Sequence, residues 1–466
     1  MSLPEIMSRR PPHEPVRAGV IGTGAYGSGI VAQAQHVPLL QVPIVADADP
    51  EKARQAYRSG GGDDAQIVAC DDRGGALTAI EAGRRVVTAD PLLLMDLPLD
   101  VVVECTGVAE AGALHGREAI RCGKHVVMVT KETDVTVGPV LKHLADEAGL
   151  VYAAADGDQH GLATSLVTWA RRIGLEVVCA GKARNAEIPR DAVADADAWM
   201  FGRVAPGEAE RYVRARKEQL GDLARPGHWD LVELTILANA TGLRPDVPST
   251  HHPAVYTSEI PTVLCDRDSG GILAARGAVD VVTCLRHPRE AGLGGGVFVV
   301  VHGRTELAQR VLGRASTAAG DGSPALLTRP YHLLGLETIE TILTAGLLNA
   351  PTAPFEYQPR YDAVFKAPRD IGAGEVINLC GEHRDAAALI VPAAPVADGA
   401  PLPGHLADDH AAAVDIAEGT VITREMVSPP SDSVLWSLRA HQDEHFLQPD
   451  EQGVVRCPAI RTSSSS

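Results

Sequence analysis

The sequence predicts an α/β protein in three parts: an N-terminal doubly wound parallel sheet, a central α+β domain and a small C-terminal β module. Three observations carry that expectation. A short apolar run, 18–21, feeds directly into G-x-G-x-x-G, written by Gly22, Gly24 and Gly27. Up to residue 155, short apolar runs alternate with helical stretches, the pattern of a parallel sheet with crossover helices. Beyond residue 360 the pattern D-I-x-x-G-x-V-I occurs twice, at 370–377 and 415–422.

The first strand is too apolar to be half exposed, so it reads as the buried centre of a sheet. Gly22 permits the tight turn out of it, Gly24 lets backbone approach a pyrophosphate, and Gly27 lets the next helix pack closely. An amphipathic helix follows, with Ile30, Val31, Ala34 and Val37 on one side, and then a strand at 41–46 ending in Asp47. An acid at that spacing suits the ribose of a dinucleotide, so 15–155 is expected to be a Rossmann domain. Asp47 favours NAD over the 2′-phosphate of NADP, with NADP the alternative; Asp49 adds negative charge, and Arg54 is read as the only close cation. Residues 50–98 read as an elaborated crossover with helices at 50–59 and 74–82 and a strand at 85–88. A strand at 100–104 then turns through Glu104-Cys105-Thr106-Gly107, and a helix at 111–122 leads to a strand at 124–132. A helix at 138–148 and a strand at 150–154 complete the sheet. The expected cofactor contacts are Gly22, Thr23, Gly24, Ala25, Tyr26, Gly27, Asp47, Thr106, Gly107 and Lys131.

From Asp156 the pattern changes to a central α+β substrate and oligomerisation domain, 156–350. A polar loop, 156–161, precedes a helix at 162–173 and a strand at 176–180, which runs on through Gly181 and Lys182 to Glu187. A charged helical region at 206–223, a helix at 230–241 and strands at 278–285 and 296–302 imply a mixed or antiparallel sheet. The helix at 333–348 is expected to return to the nucleotide domain. After a linker-like stretch, 352–360, the repeats place a compact β-clip at 361–430, with 386–410 as an exposed loop and 431–466 as a tail. Its strands lack aromatic side chains, which favours a structural or lid role over a second binding site.

Composition narrows the function classes. With 466 residues, 45% hydrophobic, the chain can bury a large core and divide into two or three domains. A formal net charge of -18 argues against non-specific binding to nucleic acid or anionic membrane. The eight cysteines form no Cys-x-x-Cys pair and read as reduced thiols. The polar start, 1–15, has no apolar core of a leader, and no apolar run is long enough to span a bilayer, so a soluble cytoplasmic protein is expected.

Taken together, these motifs resemble those of homoserine dehydrogenase-like oxidoreductases with a C-terminal SAF domain, whose best-known branch is the 1-deoxy-D-xylulose 5-phosphate reductoisomerase-like enzymes. The likeness covers most of the chain. It rests on Gly22-Thr23-Gly24, Glu104 to Gly107, Gly123 to Met128, Gly157-Asp158-Gln159, Ala180-Gly181-Lys182, Ala238 to Leu243, Arg329 to His332 and the two repeats. The resemblance implies an NAD(P)-dependent oxidoreductase acting on a small polyol, sugar or hydroxy acid, often phosphorylated, and a homodimer or higher homo-oligomer through the central domain. One departure stands out. That family usually carries Asp-Gly-Ser/Thr-Lys ahead of the helix that ends in 238–241, where this chain has Pro226-Gly227-His228-Trp229. Loss of that acid and lysine implies a different substrate.

The candidate catalytic residues are Lys131, Lys182, His160 and Asp158. Lys131 is read as the end of a parallel strand on the cofactor side, and it corresponds to a lysine of homoserine dehydrogenases and related sugar dehydrogenases. A cation there can stabilise alkoxide character during hydride transfer; the alternative is a surface lysine paired with Glu132. Lys182 ends another strand. His160 can serve as acid or base with Asp158 orienting it, or both can simply shape a turn. His228 and the pair His251-His252 are weaker, and Glu233 lies on a helix that faces either the site or solvent. Asp156, Asp158, Glu187 and the histidines offer ligand chemistry, but their spacing matches no metal motif, so no metal ligand is assigned. The leading expectation is hydride transfer to or from a carbonyl or secondary alcohol. A non-catalytic nicotinamide-binding regulator and an epimerase or isomerase with recycled NAD are the alternatives.

Overall fold

The computed structural model describes residues 14–187, 204, 207–221, 226–286, 291–318, 324–352, 356–379 and 386–447. Cys380, Cys457, the leading segment 1–13 and the end of the expected tail, 448–466, lie outside them.

The first body is a seven-stranded sheet of order β3-β4-β2-β1-β5-β6-β7, parallel throughout. Its strands are β1 (Val16–Ile21), β2 (Leu40–Ala46), β3 (Ile67–Ala69), β4 (Arg85–Thr88), β5 (Val101–Glu104), β6 (His125–Met128) and β7 (Tyr152–Ala154). The chain builds outwards from β1 on one side, then returns to β5 on the other. That reversal opens a crevice at the carboxyl ends of β1 and β5. Helices α1 (Ala25–Ala34) and α2 (Pro50–Ser59) cover one face through Ile30, Val31, Ala53 and Tyr57. The other face is covered by α3 (Arg73–Glu81), α4 (Ala109–Arg121) and α5 (Lys131–Glu147) through Ala76, Ala113, Val137 and Leu141.

Two details of this body differ from expectation. The crossover carries an additional strand, β3, which pairs with β4. More consequentially, β6 stops at Met128 and α5 begins at Lys131, so Lys131 opens a helix instead of closing a strand. The run Val-Thr-Lys-Glu-Thr-Asp-Val-Thr-Val is rich in β-branched residues, and Pro139 follows it, which together read as strand and helix start. In the fold Pro139 sits inside the helix. Nearby, the Gln442 side chain enters the hydrogen-bond ladder: its Nε2 donates to Thr136 O (3.1 Å) and its Oε1 accepts from Val140 N (3.2 Å).

The second body is a mixed sheet of order β10-β11-β8-β12-β14-β13, with β9 also on β11. These are β8 (Glu176–Glu187), β9 (Arg244–Pro245), β10 (Ala254–Val255), β11 (Ala278–Arg286), β12 (Val297–His302), β13 (Thr317–Ala318) and β14 (Ala325–Arg329). β11 runs parallel to β8, while β12 runs antiparallel to it. Helices α6 (Gln159–Arg172) and α8 (His228–Thr241) pack on one face, and α7 (Ala209–Leu220) with 255–273 lies on the other. After the exposed helix α9 (Glu306–Ala315), helix α10 (Thr338–Leu348) returns to the first sheet, its Ile342 and Ala345 packing with Val16 and Val101.

In the third body the two repeats pair with each other. Ile371 and Ile416 exchange both backbone hydrogen bonds at 2.8 Å. The Asp370 carboxylate accepts from Glu418 N and the Asp415 carboxylate accepts from Ala373 N, each at 2.8 Å, so each aspartate closes the other repeat's turn. The stretch expected to be an exposed loop instead contains β16 (Ala388–Pro392), which pairs with β15 (Tyr361–Phe365), and it buries Ile390, Leu402, Leu406 and His405. Its Ala and Pro content hid a core strand. The expected tail is likewise structural where described. Helix α11 (Val434–Phe446) packs on α4 and α5, and its buried Arg439 bonds Asp362 (2.6 and 2.8 Å) and Asp443 (2.7 Å). Asn239 locks α8 to β15: its Oδ1 accepts from Arg360 N and Tyr361 N, and its Nδ2 donates to Tyr361 O.

Candidate active site

The glycine turn has the geometry its residues suggest. Gly22 has φ +90°, and a Cβ on Gly27 would lie 2.0 Å from Gly22 O, so position 27 tolerates no side chain. Around Gly24 there is open space, and the first turn of α1 has no capping side chain and no acid. That free helix N-terminus suits a pyrophosphate. Asp47 follows β2 directly and holds the turn: its Oδ2 accepts from Thr23 N (2.7 Å) and from the Thr23 hydroxyl (2.6 Å). Burial acts against its charge, but these hydrogen bonds hold its carboxyl below the usual range, with Lys52 contributing. Arg54 instead bonds Asp64 and Ile67 O, so Lys52 is the cation in the field of Asp47. Tyr26 hydrogen-bonds Thr338 (2.8 Å), tying the loop to α10. Thr106 donates to Glu104 (2.6 Å) and Gly107 N to Thr130 (2.9 Å), which shapes the turn after β5.

Beside this turn lies a cleft of about 470 Å³ lined by Tyr26, Gly107, Lys131, Glu132, Asp158, Lys182, Arg184, Trp229, Asp230 and Glu233, among others. Its floor is a chain of alternating charges. Lys131 Nζ lies 2.8 Å from Glu233 Oε1, Lys182 Nζ lies 2.5 Å from Glu233 Oε2 and 3.0 Å from Asp230, and Arg184 lies 3.2 Å from Asp230. Helices α5 and α8 and strand β8 supply this chain, and the turn before α6 adds Asp158 to the lining. Lys182, Glu233 and Asp230 are buried, and the Lys131 side chain is 24% exposed. Burial would raise the Glu233 carboxyl, yet Lys131 and then Lys182 pull it far below the carboxylate range. Burial likewise opposes the charge on Lys131, but Glu233 and then Asp158 hold it far above its usual range. Lys131 is therefore a positioned ammonium donor, and the contacts of Lys182 with Glu233 and Asp230 fix its Nζ beside it.

Of the predicted catalytic residues, Lys131, Lys182 and Asp158 converge on the cleft. His160 does not line it. It is buried behind Asp158, with Nδ1 4.0 Å from Asp158 Oδ2 and Nε2 4.0 Å from Asp134 Oδ2. Asp158 caps α6 by accepting from Gln159 N (2.7 Å). Asp156 lies outside the cleft lining; its Oδ1 accepts from Ser165, and burial pushes its carboxyl up to about 6. His228 meets the rings of Trp229 and Phe365 edge-to-face. The pair His251-His252 is a staple, both backbone N–H groups donating to buried Asp280. Sequence reasoning missed Asp230 and Arg184 as site residues and treated Glu132 only as the surface partner of Lys131. Glu233 was named without a role. A carboxylate on the exposed or the buried side of a helix reads alike until the helix is packed.

Asp158, His160 and Glu233 bring one potential ligand atom each to within 4.8 Å of one another. Both Glu233 oxygens already accept from ammonium groups, which a divalent cation would have to displace. No metal ligand is assigned. Glu187, also considered from the sequence, has a side chain outside the described residues.

Residues 157–338 match the family described as "Oxidoreductase DRL, catalytic domain". The matched segment supplies Asp158, Lys182, Arg184, Asp230 and Glu233 to the cleft. The comparison points to an oxidoreductase. No curated protein matches the sequence. Among solved structures, a 3-ketoreductase variant from Actinomadura kijaniata, in complex with TDP-benzene and NADP, is 16% identical over 72% of this chain and 90% of its own, with a TM-score of 0.32. A myo-inositol dehydrogenase from Lactobacillus casei, in complex with NAD(H) and myo-inositol, is 20% identical over 42% of this chain and 50% of its own, with a TM-score of 0.27. Another variant of the 3-ketoreductase is 18% identical over 38% of this chain, which spans only 49% of its length, with a TM-score of 0.26. Likenesses this distant decide neither substrate nor chemistry, which must come from the cleft itself. Among the described residues no helix is long and apolar enough to cross a membrane.

Proposed function

We propose that the protein is an NAD(P)-dependent oxidoreductase that moves a hydride to or from a carbonyl or secondary alcohol of a small polar substrate. A polyol, sugar or hydroxy acid is the expected class, with or without a phosphate. The observation that carries this reading is the Lys131–Glu233–Lys182 bridge, set in one cleft with the uncapped glycine turn. A bound dinucleotide would supply the hydride or take it up. The first turn of α1 would hold its phosphates and Asp47 its ribose, favouring NAD. Lys131 and Lys182 would donate hydrogen bonds to the substrate oxygen and stabilise its developing charge, and Glu233 fixes both ammonium groups in place. A cleft lined by four carboxylates and three cations supports catalysis over a purely binding role.

Lys131→Met tests the reading. Turnover of polyols or hydroxy acids should fall at least about 100-fold, well beyond any loss of dinucleotide affinity seen by calorimetry. Turnover retained by the variant would refute the role of Lys131. We also propose a homo-oligomer, a reading supported by the exposed Leu307 and Val311 on α9, 67% and 55% accessible. A single 48.9 kDa species in light scattering would count against it.

A further inference from the structure

If the cleft oxidises an alcohol, a proton must leave the hydroxyl as the hydride leaves carbon. Neither lysine is placed to accept that proton, since Lys131 is held as an ammonium and Lys182 lies between two carboxylates at 2.5 and 3.0 Å. Three of the four carboxylates lining the cleft are already engaged. Both Glu233 oxygens accept from lysines. Asp230 faces Lys182 and Arg184, and it also accepts from Gly227 N (2.8 Å). Asp158 caps α6 and turns its other oxygen towards His160.

Glu132 is the fourth. It follows Lys131 in the first turn of α5, lines the same cleft and is partly accessible, and no side-chain hydrogen bond to its carboxylate is seen among the described residues. We propose that Glu132 exchanges the reaction's proton with solvent, an inference that rests on the oxidoreductase reading of the cleft. In oxidation the substrate C–H pair leaves as hydride to the dinucleotide and the O–H proton passes to the Glu132 carboxylate. The O–H electron pair becomes the new C=O bond, and Glu132 then gives its proton to water. Reduction runs the same steps backwards.

The charged surroundings suit that exchange. Burial pushes the Glu132 carboxyl up to about 7, against its own backbone N–H and Lys131, with Asp158 and Glu104 adding to the rise. A group titrating there can both take and release a proton at neutral pH.

The test uses the full-length protein and does not depend on knowing the substrate. The oxidised nicotinamide ring carries a positive charge that the reduced ring lacks, so NAD+ bound beside Glu132 should expel its proton and NADH should not. Calorimetry at pH 7 in buffers of different ionisation enthalpy should show about half a proton released per NAD+ bound, none with NADH, and none with either in Glu132→Gln. Release that persists in E132Q, or equal release with NAD+ and NADH, would overturn the proposal. Infrared titration of the free wild-type protein, with carboxyl-labelled glutamate, gives a second readout that needs no variant. One glutamate band should titrate near pH 7, and its absence between pH 6 and 8 would also overturn the proposal. Failure of NAD+ to bind, with that band present, would instead refute the dinucleotide reading on which the proposal rests.

Discussion

Replacing Glu233 with glutamine keeps the shape of α8 but removes the one negative charge shared by two lysines. In wild type the contacts are 2.8 Å to Lys131 and 2.5 Å to Lys182. At an effective dielectric of ~20, each is worth about 6 kcal/mol of attraction before desolvation is subtracted. Desolvation cancels much of that, so the net loss is set by leaving buried Lys182 with only Asp230 as a counter-charge. Breaking a buried pair of this kind costs about 3–5 kcal/mol; the partly exposed Lys131 takes the lower share. The pH dependence has a definite sign. Glu233 has a depressed folded-state pKa, so its contribution is present above the unfolded carboxylate value of roughly 4.3 and is lost as pH falls through the folded value. Lys131 has a raised folded-state pKa, so its contribution is complete below roughly 10.4 and is lost only as pH rises through the folded value. Thermal unfolding of wild type and E233Q at pH 7 and pH 3 checks the size of the loss and the acid side of its pH dependence. E233Q should melt several degrees lower at pH 7, and the gap should narrow at pH 3. A gap under about 1 °C at pH 7, or one that widens in acid, would refute the assignment of the bridge.

Three further outcomes follow from the same geometry. Gly27→Ala places a methyl carbon 2.0 Å from Gly22 O, so dinucleotide affinity measured by calorimetry should fall at least about tenfold; unchanged affinity would mean the turn does not hold the phosphates. Asp47→Ser removes the carboxylate proposed to hold the ribose and leaves Lys52 nearby, so the ratio of NADH to NADPH affinity should narrow by about tenfold or more. Arg439→Met leaves Asp362 and Asp443 without their buried guanidinium, and chemical denaturation should show about 3–5 kcal/mol of lost stability. A loss under about 1 kcal/mol would show that α11 is dispensable.

The sequence by itself determined what local chemistry dictates. Gly22 and Gly27 sit where the turn's backbone leaves no room for a side chain, and Gly24 between them borders open space, so that motif was legible without a fold. The alternation of strands and helices to residue 155 has one simple solution, a parallel sheet, and the carboxyl end of β1 then places the glycine turn. The repeats at 370 and 415 carry their own turn residues, which marks them as matching units, while their pairing rests on hydrogen bonds that reach from each repeat to the other. Only the tertiary structure decided where side chains from distant elements meet. Lys131 and Glu233 are separated by 102 positions, and Glu233 became the hub of the site only because α8 packs its buried face against α5 and β8. His160 moved from the cleft to a layer behind it because the first turn of α6 points it towards Asp134. The same holds for the C-terminal segment. Composition suggested a loop and a tail, but Gln442 inserts into the ladder of α5 and Arg439 bonds two aspartates. Such contacts depend on which surface a helix lands upon, and that is set by the packing of the whole chain.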